Sequence, residues 1–138
     1  MKLINPTGGE IRSDSVGDGV FGARRGHRVH DGVDFVCTPG QNIVSPIAGV
    51  VIRHTKPYSN DLQWDGIIIR SPRITIWMWY MLWRLTLTEG MSVRAGDHIG
   101  FAQEISKKYK YDCIDHVHLG IKKCDPMLLM EGKNNGMV

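Results

Sequence analysis

The sequence predicts an all-β fold. Short β-branched and aromatic runs recur between Gly- and Pro-bearing turns, and no stretch sustains a 3.6-residue apolar repeat. The first expected strand, Asn42 to Ser45, takes Ile43 and Val44 after the turn-forming Pro39-Gly40. Gly49 to Thr55 follows Pro46 and carries Val50, Val51 and Ile52, and Gly66 to Arg70 is a run of three isoleucines. Beyond Pro72, Arg73 to Tyr80 alternates Ile74, Ile76 and Met78 with Thr75, Trp77 and Trp79. His98 to Ala102 follows Gly96, and His116 to Lys122 closes the series. One short helix is expected over Asp125 to Met130, where Asp125 could cap and Pro126 would take the first position.

At 138 residues and 42% apolar content, the chain can bury a core without a metal or disulfide staple, so any metal is expected to be functional. One domain over residues 1–132 is expected, with 133–138 as a flexible tail. The net charge of +3 is too small, and its basic residues too scattered, for a nucleic-acid partner. Arg24, Arg25 and Arg28 form the one basic group, read as a solvated loop or as an attractor of an anionic polymer. No run approaches the ~20 apolar residues of a membrane span, so membrane insertion is not expected. The opening Met1-Lys2-Leu3-Ile4-Asn5-Pro6 lacks the apolar core of a signal peptide, and a soluble protein made without a leader is the expectation. Three cysteines exclude a full disulfide framework. Cys37 reads as a buried free thiol, three residues from Asp34 and on the opposite face of a strand. A bridge between Cys113 and Cys124 would need a tight return of the chain.

Two clusters carry metal-ligand chemistry: His30-Asp31-Gly32-Val33-Asp34 and Asp115-His116-Val117-His118. Imidazole and carboxylate suit Zn²⁺, and catalytic zinc is usually held by three protein groups and a water. His30, Asp34, His116 and His118 therefore supply three ligands and one spare base. On a strand His116 and His118 point to one face, roughly 6.5–7 Å apart. Gly32 weakens a helical reading of the first cluster and permits close backbone approach.

Those residues, together with Phe21-Gly22-Ala23-Arg24, resemble the opening of the lysostaphin/LytM-type zinc endopeptidases, which cut peptide cross-links in bacterial cell walls. Thr38 to Val51 is similar to that family's glycine turn and strand pair, and Glu89 to Gly100 to its V-x-x-G-x-x-V-x-x-G-x-x-I-G segment. His116-Val117-His118-Leu119 resembles its closing H-x-H. Four weak motifs in the right order span about residues 20–122. The resemblance implies a lysostaphin-like, duplicated-hybrid-motif fold: an antiparallel sandwich or open barrel with few or no helices. It further implies His30, Asp34 and His118 as zinc ligands, His116 as general base, and peptidoglycan or a related peptide as substrate. Zinc would acidify its water and polarise the scissile carbonyl while the free imidazole takes the proton. A phage lysin fits a chain without a leader, and so does an exported protein whose leader was removed.

One position departs from the family. Its Y-x-H-L segment corresponds to Tyr80-Met81-Leu82-Trp83, with Leu82 where a histidine would stand. Losing one such stabilising donor costs on the order of 10²–10³ in rate. A second similarity, to the leukocyte-derived chemotaxin branch of the fold, rests on Cys37, Lys56-Pro57-Tyr58, His116-Val117-His118 and Cys124-Asp125. It implies the alternative of a non-catalytic zinc-bearing binding module. Substrate contacts are expected at Trp64, in the polar stretch Ser59 to Asp65, and at Tyr80, which could also replace the missing histidine. Trp77 and Trp79 share a face and could wall a groove, although core packing is the simpler reading. His27, His54 and His98 read as surface or strand-edge residues.

Overall fold

The computed structural model describes residues 2–14, 17–18, 24–25, 28–29 and 32–122. In chain order its strands are β1 (Ser13–Asp14), β2 (Gly17–Asp18), β3 (Arg24–Arg25), β4 (Arg28–Val29), β5 (Val33–Val36), β6 (Asn42–Val44) and β7 (Gly49–His54). They continue as β8 (Gly66–Arg70), β9 (Thr75–Trp79), β10 (Met81–Trp83), β11 (Ser92–Val93), β12 (His98–Ala102) and β13 (His116–Ile121). A 3-10 turn over Ile105–Tyr109 is the one helical element among the described residues. The helix expected over Asp125 to Met130 lies outside them.

Six strands form the main sheet in the order β11-β7-β8-β9-β13-β5, and β10-β12-β6 form a second sheet. Every pairing is antiparallel. Period-two alternation divides the main sheet into two chemically different faces. Val33, Phe35, Ile67, Ile69, Ile76, Met78, Val117, Leu119 and Ile121 point one way and are buried against Ile43, Met81, Ile99 and Ala102 of the second sheet. The opposite face carries Asp34, His116, His118 and Gly120, with Trp77 and Trp79 beside them.

The register explains why the polar set meets. His118 lies directly across from Asp34 on β5 and from Trp79 on β9, so one cross-strand row holds a carboxylate, an imidazole and an indole. Trp77 and Trp79 therefore belong to the face of the histidines and not to the apolar core, because Ile76 and Met78 take the core side of β9. Gly66 continues this row. A Cβ there would lie 2.0 Å from the Met78 carbonyl oxygen, so only glycine permits the β8–β9 approach.

The chain also extends the sheet from its beginning. Ile11 bridges Phe35, the Arg12 N–H donates to the Asp34 carbonyl (2.9 Å), and the Val36 N–H donates to the Glu10 carbonyl (2.7 Å). Residues 10–12 thus line the free edge of β5. No helix of the described residues is long and apolar enough to cross a membrane.

Candidate metal centre

Asp34 and His118 form the middle of the site. The His118 Nδ1–H donates to Asp34 Oδ1 at 2.9 Å, and both side chains are almost fully buried. His116, two residues earlier on β13, projects from the same face. Its Nδ1–H donates to the Ile114 carbonyl at 2.7 Å, which leaves Nε2 as the proton-accepting nitrogen. Nε2 lies 3.6 Å from Asp34 Oδ2. Burial lowers the His116 pKa below the ordinary imidazole value, against the opposing pull of the Asp34 charge. The Nδ1–H bond to Ile114 thus turns the other ring nitrogen, Nε2, toward the carboxylate.

The remaining oxygen of Asp34 is engaged by a residue the sequence did not single out. Arg12 Nε and Nη2 donate to Oδ2 at 3.0 and 2.9 Å, and the arginine is only 3% exposed. Arg12 Nη1 lies 3.8 Å from Cys113 Sγ, which is itself 3.8 Å from His116 Nδ1. No local pattern marks Arg12, because it reaches Asp34 by a pairing across 22 positions of sequence. Cys113 is likewise buried, beside the histidine strand.

Aromatic rings enclose the imidazoles. Trp79 stacks on His118 with centroids 4.9 Å apart and planes at 21°, and Tyr80 meets His116 edge-on at 5.3 Å. Tyr80 adopts a positive φ of 76°, a costly conformation for a tyrosine, at the junction where β9 leaves the main sheet and β10 enters the second. Its hydroxyl bonds that of Tyr58 (3.0 Å), which bonds that of Tyr109 (2.9 Å). Burial pushes the Tyr58 and Tyr80 hydroxyls above the usual phenol range.

Two of the described donors, Asp34 and His118, are spaced as neighbouring ligands of one metal ion would be. Two ligands of one tetrahedral zinc lie about 3.3 Å apart when each bond is about 2.05 Å. Asp34 Oδ1 and His118 Nδ1 are close to that separation already. Gly32 supplies the room: a Cβ there would lie 2.7 Å from His118 Nε2 and 2.4 Å from the Leu119 carbonyl oxygen. A cation, the Arg12 guanidinium, already sits on the carboxylate. The third expected ligand, His30, lies outside the described residues, as does His27. Among the described residues no set of three His, Cys, Asp or Glu side chains is gathered to hold a metal.

The other singled-out residues fall elsewhere. Trp64 is not on an open loop surface: it is 4% exposed, donates from Nε1 to Asp61 Oδ2 (3.0 Å), and packs with Tyr80 and Ile105. Leu82 stands on β10, 47% exposed. Cys37 is buried in the apolar core, and burial pushes its thiol pKa up to about 12. His54 and His98 lie at partly exposed strand positions.

The profile of peptidase family M23 matches residues 28–133, a span that includes both ligand clusters. The chain belongs to peptidase family M23. It is 30% identical over 118 residues to leukocyte cell-derived chemotaxin-2 of Bos taurus, covering 84% of this chain and 74% of that protein. Its fold matches Helicobacter pylori Csd3 with a TM-score of 0.71 and 20% identity, over 94% of this chain and 33% of Csd3. The chain thus spans about a third of that protein. It also matches the catalytic domain of the antimicrobial peptidase lysostaphin from Staphylococcus simulans, with a TM-score of 0.51 and 19% identity over 78% of this chain and 77% of that one. These two likenesses are of fold, and they bear out the expected lysostaphin-like, all-β architecture.

Proposed function

We propose that this M23 chain is a zinc-dependent endopeptidase that hydrolyses peptide cross-links of bacterial peptidoglycan. His30, Asp34 and His118 would hold the ion, which when bound supplies Lewis acidity toward a carbonyl and an acidified water. His116 acts as general base. The observation that carries this reading is the fixed tautomer of His116, whose Nδ1–H is committed to Ile114 while Nε2 faces Asp34. An imidazole so held accepts a proton at one defined atom, the geometric requirement for general-base work. Trp79 and Tyr80 restrain the two imidazoles through their rings, which reduces the reorganisation needed during reaction. Substrate is proposed to reach the site near Tyr80 and the Trp64 cluster.

The test is incubation of the zinc-loaded protein with purified peptidoglycan. New amino groups should be released, and the release should vanish with chelator and fall by at least about a hundredfold in His116→Gln. Intact walls after prolonged digestion by a fully zinc-loaded sample would overturn the enzymatic reading.

A second reading is favoured by Leu82, which supplies no hydrogen-bond donor where the family's further histidine is expected, and by the similarity to chemotaxin-2. On this reading the chain is a zinc-bearing binding module. It predicts wall binding that is equally tight in wild type and His116→Ala, with no bond cleaved. Activity gained by Leu82→His would decide in favour of a weakened enzyme.

A further inference from the structure

Arg12 occupies an unusual position for a cation. Its backbone is fixed by the pairing of residues 10–12 to β5, and its side chain runs along that pairing into the buried row of Asp34, His116 and His118. Two of its nitrogens converge on one carboxylate oxygen, Oδ2, while Oδ1 is bonded by His118. The third nitrogen points toward Cys113, on the side of His116. The guanidinium therefore lies within the candidate centre.

Charge accounting gives this placement a consequence. A carboxylate as buried as Asp34 must be neutralised by a partner of opposite charge, because an isolated ion in a low-dielectric interior is prohibitively costly. Without a metal, Arg12 supplies that positive charge. When a dication binds the same carboxylate, Arg12 becomes a second cation a few ångströms from it, screened by little water, and the two repel. A carboxylate shared with a guanidinium is also a weaker donor to a metal. Both effects work in one direction. Arg12 cannot instead be a substrate-binding arginine in this state, since it is enclosed by the protein.

We propose that Arg12 is an internal counter-cation that competes with the metal ion for Asp34 and holds the domain folded when no metal is bound. The inference rests on the reading of Asp34 and His118 as metal ligands. It makes the metal-free form a stable state of the protein and zinc uptake a displacement of charge within the site. Guanidinium is suited to this part, because its planar fork stays protonated at any accessible pH and can take a carboxylate oxygen with two bonds.

The experiment compares the full-length wild type, Arg12→Gln and Arg12→Lys. Zinc affinity is measured by competition with a fluorescent chelator, and melting temperature is recorded in EDTA and in excess zinc. Arg12→Gln should bind zinc about tenfold or more tightly than wild type, the equivalent of about 1.4 kcal/mol. Its melting temperature in EDTA should fall by about 10 °C, with the gap closing in zinc. A variant that folds only in the presence of zinc meets the same expectation. Arg12→Lys keeps the charge, and its zinc affinity should stay within about threefold of wild type. Unchanged or weaker zinc binding in Arg12→Gln, an unaltered melting temperature in EDTA, or tightening in Arg12→Lys equal to that in Arg12→Gln would each overturn the proposal. If wild type binds zinc normally in those cases, the ligand assignment stands and only the role of Arg12 falls. If neither wild type nor Arg12→Gln binds zinc, the ligand assignment falls with it.

Discussion

Two histidine–aspartate pairs of nearly equal length sit in different parts of this fold. His118 Nδ1 meets Asp34 Oδ1 at 2.9 Å, and His54 Nδ1 meets Asp65 Oδ2 at 2.8 Å. The first is sealed, with side-chain exposures of 4% and 2%, whereas His54 is 46% exposed. His54 lies flat on Trp83 with centroids 3.6 Å apart, and Lys56 Nζ lies 3.4 Å from Asp65 Oδ1, an ion-pair contact too loose to count as a strong hydrogen bond. Asp65 is buried as well, so the outer pair is open to water and rotamer freedom only at its histidine end. At the inner pair neither is available, so the surrounding charges must balance there, and Arg12 balances them. Distance alone therefore ranks the two pairs as equals; both aspartates are buried, and it is the burial of the histidine that separates them.

The largest break in that contrast is Asp34→Ala. It strips the Arg12 guanidinium of the carboxylate it bonds and removes a proposed ligand. Removing one member of a buried ion pair costs about 3–5 kcal/mol. Chemical denaturation of the metal-free protein should show a loss of that size, and equilibrium dialysis should show zinc binding abolished. A variant that keeps wild-type stability would mean that the inner pair is no more critical than the outer one.

His116→Gln should leave zinc binding in place and lower peptidoglycan cleavage by about 10²–10⁴-fold, the usual contribution of a general base. The same variant carries a pH signature. With its folded pKa depressed by burial, His116 binds fewer protons in the folded than in the unfolded chain at acid pH. The stability tied to the neutral ring is fully present above the unfolded value of about 6.5 and drains away as pH falls below it. Melting temperatures between pH 7 and 5 should therefore fall less steeply in metal-free His116→Gln than in wild type. An equal slope would remove His116 as the source.

Gly32→Ala tests the room around the inner pair without touching a charge. The added methyl would meet the Leu119 carbonyl oxygen at 2.4 Å and His118 Nε2 at 2.7 Å, contacts that force a shift of backbone or ring. Overpacking of this kind costs about 1–3 kcal/mol. Zinc affinity should weaken along with stability, since His118 is the group displaced. Loss of stability with zinc affinity intact would show that the strand absorbs the strain and the imidazole does not.

The asymmetry between the two pairs also marks where sequence reasoning works. Strands β6, β7, β8, β9, β12 and β13 match the expected runs closely, because each is a β-branched run bounded by turn residues. Strand alternation puts His116 and His118 on one face, and the order of the motifs, through the family resemblance, joins Asp34 to them. β10 was not separable from β9, since the chain switches sheets at Tyr80 through a positive φ with no glycine to announce it. The 3-10 turn at Ile105–Tyr109 escaped because it has no side-chain cap at its start. Arg12 was invisible for a different reason: its partner lies on another strand, and an isolated arginine in a polar stretch carries no periodic or motif signal. Trp64 shows the converse, a tryptophan in a polar stretch that is buried by packing against Tyr80 and Ile105, contacts that only tertiary structure creates.

The smallest effect should come from the outer pair, and it completes the contrast. His54→Ala removes the bond to Asp65 and the stacking on Trp83, yet Asp65 keeps Lys56 nearby and its backbone N–H remains bonded to Gln103 Oε1 at 2.9 Å. With its imidazole open to water and screened by salt, the pair should contribute less than the sealed one, nearer the about 0–1 kcal/mol of surface pairs. Denaturation midpoints should therefore move little, the shift should shrink further at high ionic strength, and zinc affinity should not change. A destabilisation as large as that of Asp34→Ala would mean that the His54–Asp65–Trp83 cluster anchors the start of β8 against β10. The Trp83 Nε1–H bond to the Gly66 carbonyl, 2.9 Å long, would then be the contact to test next, by Trp83→Phe.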